Sequence, residues 1–243
     1  MQRALRDGLA RFEWEHYRAD GRTLPVEVTL ARLELQDHAV LYCVWRDITD
    51  SREHEVRIQR LNQAYAMLSR VNEAIVRVRD SGTRLFNEVC RLVVEIGGFR
   101  LAWVGGLDPG GGGLFPITHS GPAEHYLDQL RLPSRHPPGP AALAVAEGRV
   151  CVFNDIAGES PPSPLREAAL AHGYRAFAAF PIPAGGTVRH ALMVFSDALG
   201  HFDDEQIALF TRLAQDLGFA LDFNAAEQAQ RQEQRFREQL VDS

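Results

Sequence analysis

The sequence predicts an α+β chain: a short antiparallel meander, then a mixed helix–strand body held between two long helices. Three observations predict it. Residues 12–18 and 24–35 alternate apolar and polar side chains with the period of a strand. From Ser51 the apolar residues recur three and four apart, the period of a helix. The same spacing returns near the C-terminus at Phe210, Leu213, Leu217, Ala220 and Asn224.

The meander begins with FEWEHYR (12–18), a half-buried strand by its alternation. Asp20-Gly21 supplies a turn. In residues 24–35, Leu24, Val26, Val28 and Leu30 alternate with polar neighbours, and residues 39–46 are β-branched and aromatic. Too few residues precede these strands to cover their apolar face, and a lone three-stranded sheet is marginal in water. Residues 1–50 are therefore expected to be the tail of a domain whose first half is missing.

In the following helix, Ile58, Leu61, Tyr65, Leu68, Asn72 and Ile75 fit the a and d positions of a heptad. A polar residue at an a position fixes register and two-stranded pairing. Asn72 and Asn224 are thus expected to set the register of a dimer; the alternative is an amphipathic helix packed on its own domain. Asp80-Ser81-Gly82-Thr83 breaks the first helix and caps a second. There Leu85, Phe86, Val89, Leu92, Val93 and Ile96 share a face, and Gly97-Gly98 end it. Strands are predicted at 99–107 and 114–120, joined by a hairpin tip at PGGGG (109–113). A phosphate cradle would need a helix after the glycines, and here a strand follows. Short helices are predicted at 122–131, 141–148 and 165–173, separated by Pro-rich loops and a strand at 150–155. Strands at 175–183 and 189–196 flank Gly185-Gly186, and a helix runs from Asp203 to about Arg237.

Composition excludes several function classes. The 243 residues suffice for one large or two modest domains, and a net charge of -6 argues against a nucleic-acid partner. No run approaches a membrane span, and the N-terminus lacks the apolar core of a signal peptide. A cytoplasmic location is expected, compatible with a membrane anchor elsewhere in a longer parent protein. All 26 basic residues are Arg. The chain therefore has no Walker A, Schiff-base or kinase strand lysine. Cys43, Cys90 and Cys151 stand among apolar neighbours, in neither a disulfide framework nor a CxxC metal pattern.

Two stretches resemble known families. Arg18-Ala19-Asp20-Gly21-Arg22-Thr23-Leu24-Pro25-Val26-Glu27-Val28 and the strand exit Arg46-Asp47-Ile48-Thr49 resemble the C-terminal half of a PAS domain, over residues 1–50. The resemblance implies that Asp47 and Thr49 couple the sheet to the outgoing helix, whose first N–H groups such side chains can satisfy. GFRLAWVGGLD (98–108), YLDQL (126–130), AALAVAEGRVCVFNDI (141–156), GYRAFAAFPI (173–182) and HFDDEQIALFTRLAQDLGFALD (201–222) resemble a GAF domain in order and spacing. That implies an antiparallel sheet of five or six strands with helices on both faces and a small-molecule pocket on one of them. RFREQLVDS (235–243) resembles the start of another PAS domain. The implied organisation is a PAS half at 1–50, a signalling helix at 51–80, a GAF domain at 81–222 and an outgoing helix at 223–243.

The GAF resemblance does not name a ligand, so the cofactor stays unknown. Candidate pocket residues are Trp103, Phe115, Ser120, Tyr126, Asn154, Asp155, Tyr174, Arg175 and Phe180, each with core packing or turn capping as its plain alternative. The chain lacks the Lys of a cyclic-nucleotide signature, and Cys151, inside an apolar run, is a poor bilin attachment point. His119 and His125 are the nearest candidates for a metal or haem, but a surface role is expected and no metal site is assigned. Arg52-Glu53-His54-Glu55 superficially resembles a histidine-kinase phosphoacceptor, without the Pro that should follow. No catalytic residue is assigned. The expected function is a sensory module. It would bind an unknown small molecule, form a homodimer and relay to a downstream histidine kinase or cyclic-di-GMP cyclase or phosphodiesterase. A ligand-free dimerisation spacer and a Cys-dependent methionine sulfoxide reductase are the alternatives.

Overall fold

The structure, a computed structural model, describes residues 7–35, 38–78, 82–107, 114–123, 126–130, 140–158 and 164–241. The glycine hairpin at 109–113 and His125 lie outside these. The chain divides into two compact units, Met1–Arg60 and Leu61–Ser243.

In the first unit, β1 (Leu9–Tyr17), β2 (Thr23–Leu35) and β3 (His38–Asp47) form an antiparallel sheet in the order β1-β2-β3. The register puts Phe12 opposite Val28 and Trp14 opposite Val26. Across the other edge Val28 pairs with Trp45. Alternation thus gathers one apolar face. Its core is small: Val26, Val28 and Leu30 are buried, while Trp14 and Trp45 are each 60% exposed. The helix α1 (Thr49–Arg77) leaves directly from β3.

In the second unit, α2 (Gly82–Glu95) precedes β4 (Leu101–Leu107) and β5 (Leu114–Ser120). Then come α3 (Tyr126–Leu130), α4 (Pro140–Glu147), β6 (Cys151–Phe153) and α5 (Pro164–Ala171). β7 (Ala176–Ala184), β8 (Thr187–Ser196) and the long α6 (Asp204–Val241) complete it. The sheet is antiparallel with strand order β5-β4-β8-β7-β6, five strands where the resemblance implies five or six. Among the described residues no helix is long and apolar enough to cross a membrane.

The sheet separates two apolar cores. Ala102, Val104, Ala178, Phe180, Leu192 and Val194 face the core shared with α1, α2 and α6. Leu101, Trp103, Ala179, Met193 and Phe195 face the opposite core, which α3, α4 and α5 cover. Each fully buried Phe or Leu contributes about 2–3 kcal/mol of apolar transfer, so both faces contribute to holding the sheet.

The expected helix seams fall differently. On α6, Phe210, Leu213 and Leu217 are fully buried under the chain's own sheet. On α1 the buried stripe is Ala64, Met67, Val71 and Ala74, one position away from the expected heptad. Leu68 and Ile75 lie at the margin of that core, while Tyr65 and Asn72 are exposed and Asn224 is half-buried. Spacing of three and four is common to an intermolecular seam and an intramolecular face, and on α6 Phe210, Leu213 and Leu217 form such a face within one chain.

α6 approaches β7 so closely at Gly218 that an added Cβ would overlap the Pro183 carbonyl oxygen. Gly218→Ala should therefore lower stability by about 2 kcal/mol, the scale of overpacking changes, measured as a fall in the melting midpoint.

Candidate functional site

The candidate site is the sheet face beneath α3, α4 and α5. Trp103 lies at its centre, 1% exposed. Gly105 makes room for it: a Cβ there would stand 2.8 Å from Trp103 Cζ3. In the same core Tyr126 meets Tyr174 and Phe195 edge-on, with ring centres 6.0 and 5.4 Å apart. Tyr174 is fully buried and its hydroxyl donates to the Pro122 carbonyl. Burial raises the pKa of both phenols above the ordinary tyrosine value, with the Tyr174 phenol adding to the effect at Tyr126. Among the described residues Trp103 Nε1 is buried with no hydrogen-bond partner.

The structure brings together only part of the predicted set. Trp103, Tyr126 and Tyr174 share this core. Phe180 is fully buried in the other core, stacked on Phe210 of α6 with ring centres 5.2 Å apart. Phe115 pairs with Gly106, and Ser120 pairs with Ala102, a residue of the helix-facing core. A bulge between Val104 and Gly105 produces the Phe115 placement: β4 skips Ile117, and the alternation counted back from His119 reverses. Phe115, Ser120 and Phe180 therefore do not line this face.

Asn154 and Asp155 have structural partners. The Asn154 side chain donates to the Phe202 carbonyl at 2.8 Å and accepts from the Phe202 N–H at 2.9 Å. It ties the segment before α6 to the end of β6. Asp155 is exposed and accepts from the Ala157 N–H at 3.0 Å, closing a turn. Arg175 is exposed, and its backbone N–H donates to the Ser196 carbonyl at 2.7 Å. Sequence reasoning missed Asn154's partner because it lies 48 residues away.

At the end of β3, Asp47 Oδ1 accepts from the Thr49 N–H at 2.9 Å and from the Thr49 hydroxyl at 2.6 Å. Asp47 thus caps α1, and the Ile48 N–H donates to the Pro25 carbonyl at 3.1 Å, holding the same junction to β2. The Thr49 hydroxyl and then its amide hold the Asp47 carboxyl below the usual carboxylate range.

The cysteines stand apart from one another. Cys43 is exposed on β3. Cys90 is buried in the helix-facing core, and burial pushes its thiol up to about 12. Cys151 edges the candidate face, and burial raises it as well. His119 is exposed, and among the described residues no three His, Cys, Asp or Glu side chains gather as a metal site.

Two substitutions separate structural from ligand-facing roles. Asn154→Ala should cost about 2 kcal/mol through the two lost hydrogen bonds, whereas Asp155→Ala should stay within about 0.5 kcal/mol; urea melts give both. For Asp47 the lowered pKa fixes the sign: its cap is present above the unfolded carboxylate value and lost as pH falls through the lower folded one. The exchange protection of the Thr49 amide should fall over that acid window, and Asp47→Ala should remove the protection already at neutral pH.

A GAF domain family model matches residues 81–222, more than half of the chain, and a PAS domain model matches residues 1–50. Comparison with curated proteins yields no match. Among solved structures, free methionine-R-sulfoxide reductase from Neisseria meningitidis, in complex with its substrate, is 17% identical with a TM-score of 0.55, over 68% of this chain and 91% of that one. A domain assigned to a two-component sensor histidine kinase of Sinorhizobium meliloti is 20% identical with a TM-score of 0.51, over 63% and 99%. The phycoerythrobilin-bound GAF domain of a cyanobacterial phytochrome is 16% identical with a TM-score of 0.51, over 68% and 97%. At these identities the neighbours speak for the fold alone, and they agree with the five-stranded sheet and its two layers of helices. The chain belongs to the GAF domain family, with a PAS domain segment at its N-terminus.

Proposed function

We propose that the chain is a sensory module of a signal-transduction protein. A small molecule held beneath α3, α4 and α5 changes the packing of the sheet. The change passes to α1 and α6, which pair with the same helices of a second copy. It ends at a cytoplasmic output domain of the parent protein, a histidine kinase or a cyclic-di-GMP cyclase or phosphodiesterase.

The observation that supports this reading is the grip of α6 on the β7–β8 hairpin. Gly218 lets α6 touch the Pro183 carbonyl. One turn later Asp222 Oδ1 accepts from the Gly185 N–H at 2.7 Å, in the tight turn where Gly185 and Gly186 both have positive φ. The same two strands place Ala179, Met193 and Phe195 in the candidate face. A ligand that displaces the hairpin must also displace α6. It can bias the helices only by its differential affinity for two arrangements. For pairing, α6 offers Phe219 and Phe223, 73% and 57% exposed, in place of the buried seam. Asn224 follows them directly, and Asn72 lies exposed on α1.

A ligand-free dimerisation spacer is the second reading. It is favoured by the near-complete burial of Trp103, Tyr174 and Phe195 under protein atoms. An enzymatic reading is weaker, because thiol chemistry needs a thiolate and burial raises the pKa of Cys90 and Cys151.

Native mass spectrometry on protein purified under gentle conditions separates the first two readings. The sensor reading expects a retained small molecule. Its removal should change hydrogen exchange at Gly185–Gly186 and along α6, and Asp222→Ala should confine that change to the sheet. The spacer reading expects the polypeptide mass alone. In sedimentation, Phe219→Arg with Phe223→Arg should weaken dimerisation at least about tenfold; an unchanged dimer would remove the pairing surface from the account.

A further inference from the structure

Three buried polar atoms among the described residues have no hydrogen-bond partner: Trp103 Nε1, His190 Nδ1 and Gln206 Oε1. The last two lie away from the candidate face. His190 packs on Phe86 of α2 with ring centres 5.4 Å apart, and Gln206 sits in the first turn of α6. Trp103 Nε1 belongs to the candidate face. The indole lays its Cζ3 edge over Gly105, so the edge that carries the N–H points away from the strand's glycine. An indole nitrogen only donates. Leaving that donor buried without an acceptor is unfavourable, and an acceptor supplied from outside the chain relieves it.

The neighbours constrain what that acceptor can be. Tyr174 has given its hydroxyl proton to the Pro122 carbonyl and makes no bond to the indole. His172 stacks on Tyr174 with ring centres 5.8 Å apart and pairs its Nδ1 with the Ala168 carbonyl at 2.8 Å. Leu101, Met193 and Phe195 offer no polar group. The buried polar or charged residues described are Ser196 and Gln206, and neither belongs to this core. An ion brought here would lose its hydration without meeting a buried counter-charge. Flat rings suit the site, since Tyr126, Tyr174 and Phe195 already meet edge to face.

We propose that Trp103 is the anchor of a subsite for an uncharged, flat, largely apolar molecule that carries one hydrogen-bond acceptor, a carbonyl or a ring nitrogen. The proposal rests on the sensory reading above and names the chemical class of its ligand. Recognition has two parts: the Trp103 N–H reads the acceptor, and the aromatic wall reads the flat body.

The test uses the full chain labelled with ¹⁵N. Trp14→Phe and Trp45→Phe, both exposed and in the other unit, leave Trp103 as the single indole resonance. Three probes of one shape are titrated: acetophenone, α-methylstyrene, which lacks the acceptor, and benzoate, which adds a charge. Acetophenone should shift the Trp103 Nε1–H resonance saturably and bind at least about tenfold tighter than either of the others. Benzoate binding as tightly as acetophenone would overturn the uncharged class and leave the sensory reading standing. α-Methylstyrene binding as tightly would overturn the role of Trp103 and also leave that reading standing. No saturable shift from any probe would overturn the subsite, and the native mass measurement would decide the sensory reading on its own.

Discussion

The two-residue period of the central strands governs everything else in the second unit. β4, β7 and β8 each send alternate side chains to opposite cores, so neither face can be repacked without the other registering it. Ala178 and Phe180 look toward the long helices, while Ala179 between them looks toward Trp103 and Met193. Small residues on β7 let large ones on β8 fill both sides: Ala178 pairs with Val194 and Ala179 with Met193. Dense packing makes such a sheet a transmitter of displacement rather than a cushion.

Two carboxylates fix helices to strands, one at the N-terminal sheet and one at the second unit's sheet. At the exit from β3, Asp47 holds the first turn of α1 through the Thr49 amide and hydroxyl. At the β7–β8 turn, Asp222 of α6 holds the Gly185 amide. Both use one carboxylate on backbone N–H groups, a strong class of hydrogen bond. They differ in context. The Asp47 junction is exposed and serves a small core of Val26, Val28 and Leu30, whereas α6 is backed by Phe210, Leu213 and Leu217 at full burial.

Much of the fold could be read from the sequence because its signals are local. Alternation marked the strands, the change of period marked α1, and Asp47 stood ready to cap it. What could not be read depends on distant partners. The face chosen by Phe115 turns on a bulge at Val104–Gly105, and that chosen by Phe180 on its register with Leu192. Asn154 reads equally as a ligand contact or a turn cap at a strand end until Phe202 is placed beside it. The heptad spacing marked the right helices; on α6 its stripe is buried in the chain's own core, while on α1 the buried stripe lies one position from the expected one. Trp103 was legible as a candidate, yet its unmatched N–H was not, because a missing partner has no sequence signal.

Native-state hydrogen exchange in graded denaturant tests the central claim most directly. If the sheet and α6 act as one body, the amides of Phe180 and Leu192 and those of Leu213 and Leu217 will open in a single step with a common free energy and a common denaturant dependence. If the α6 amides open earlier and independently of the strands, the sheet cannot pass its state to the outgoing helix and the account fails.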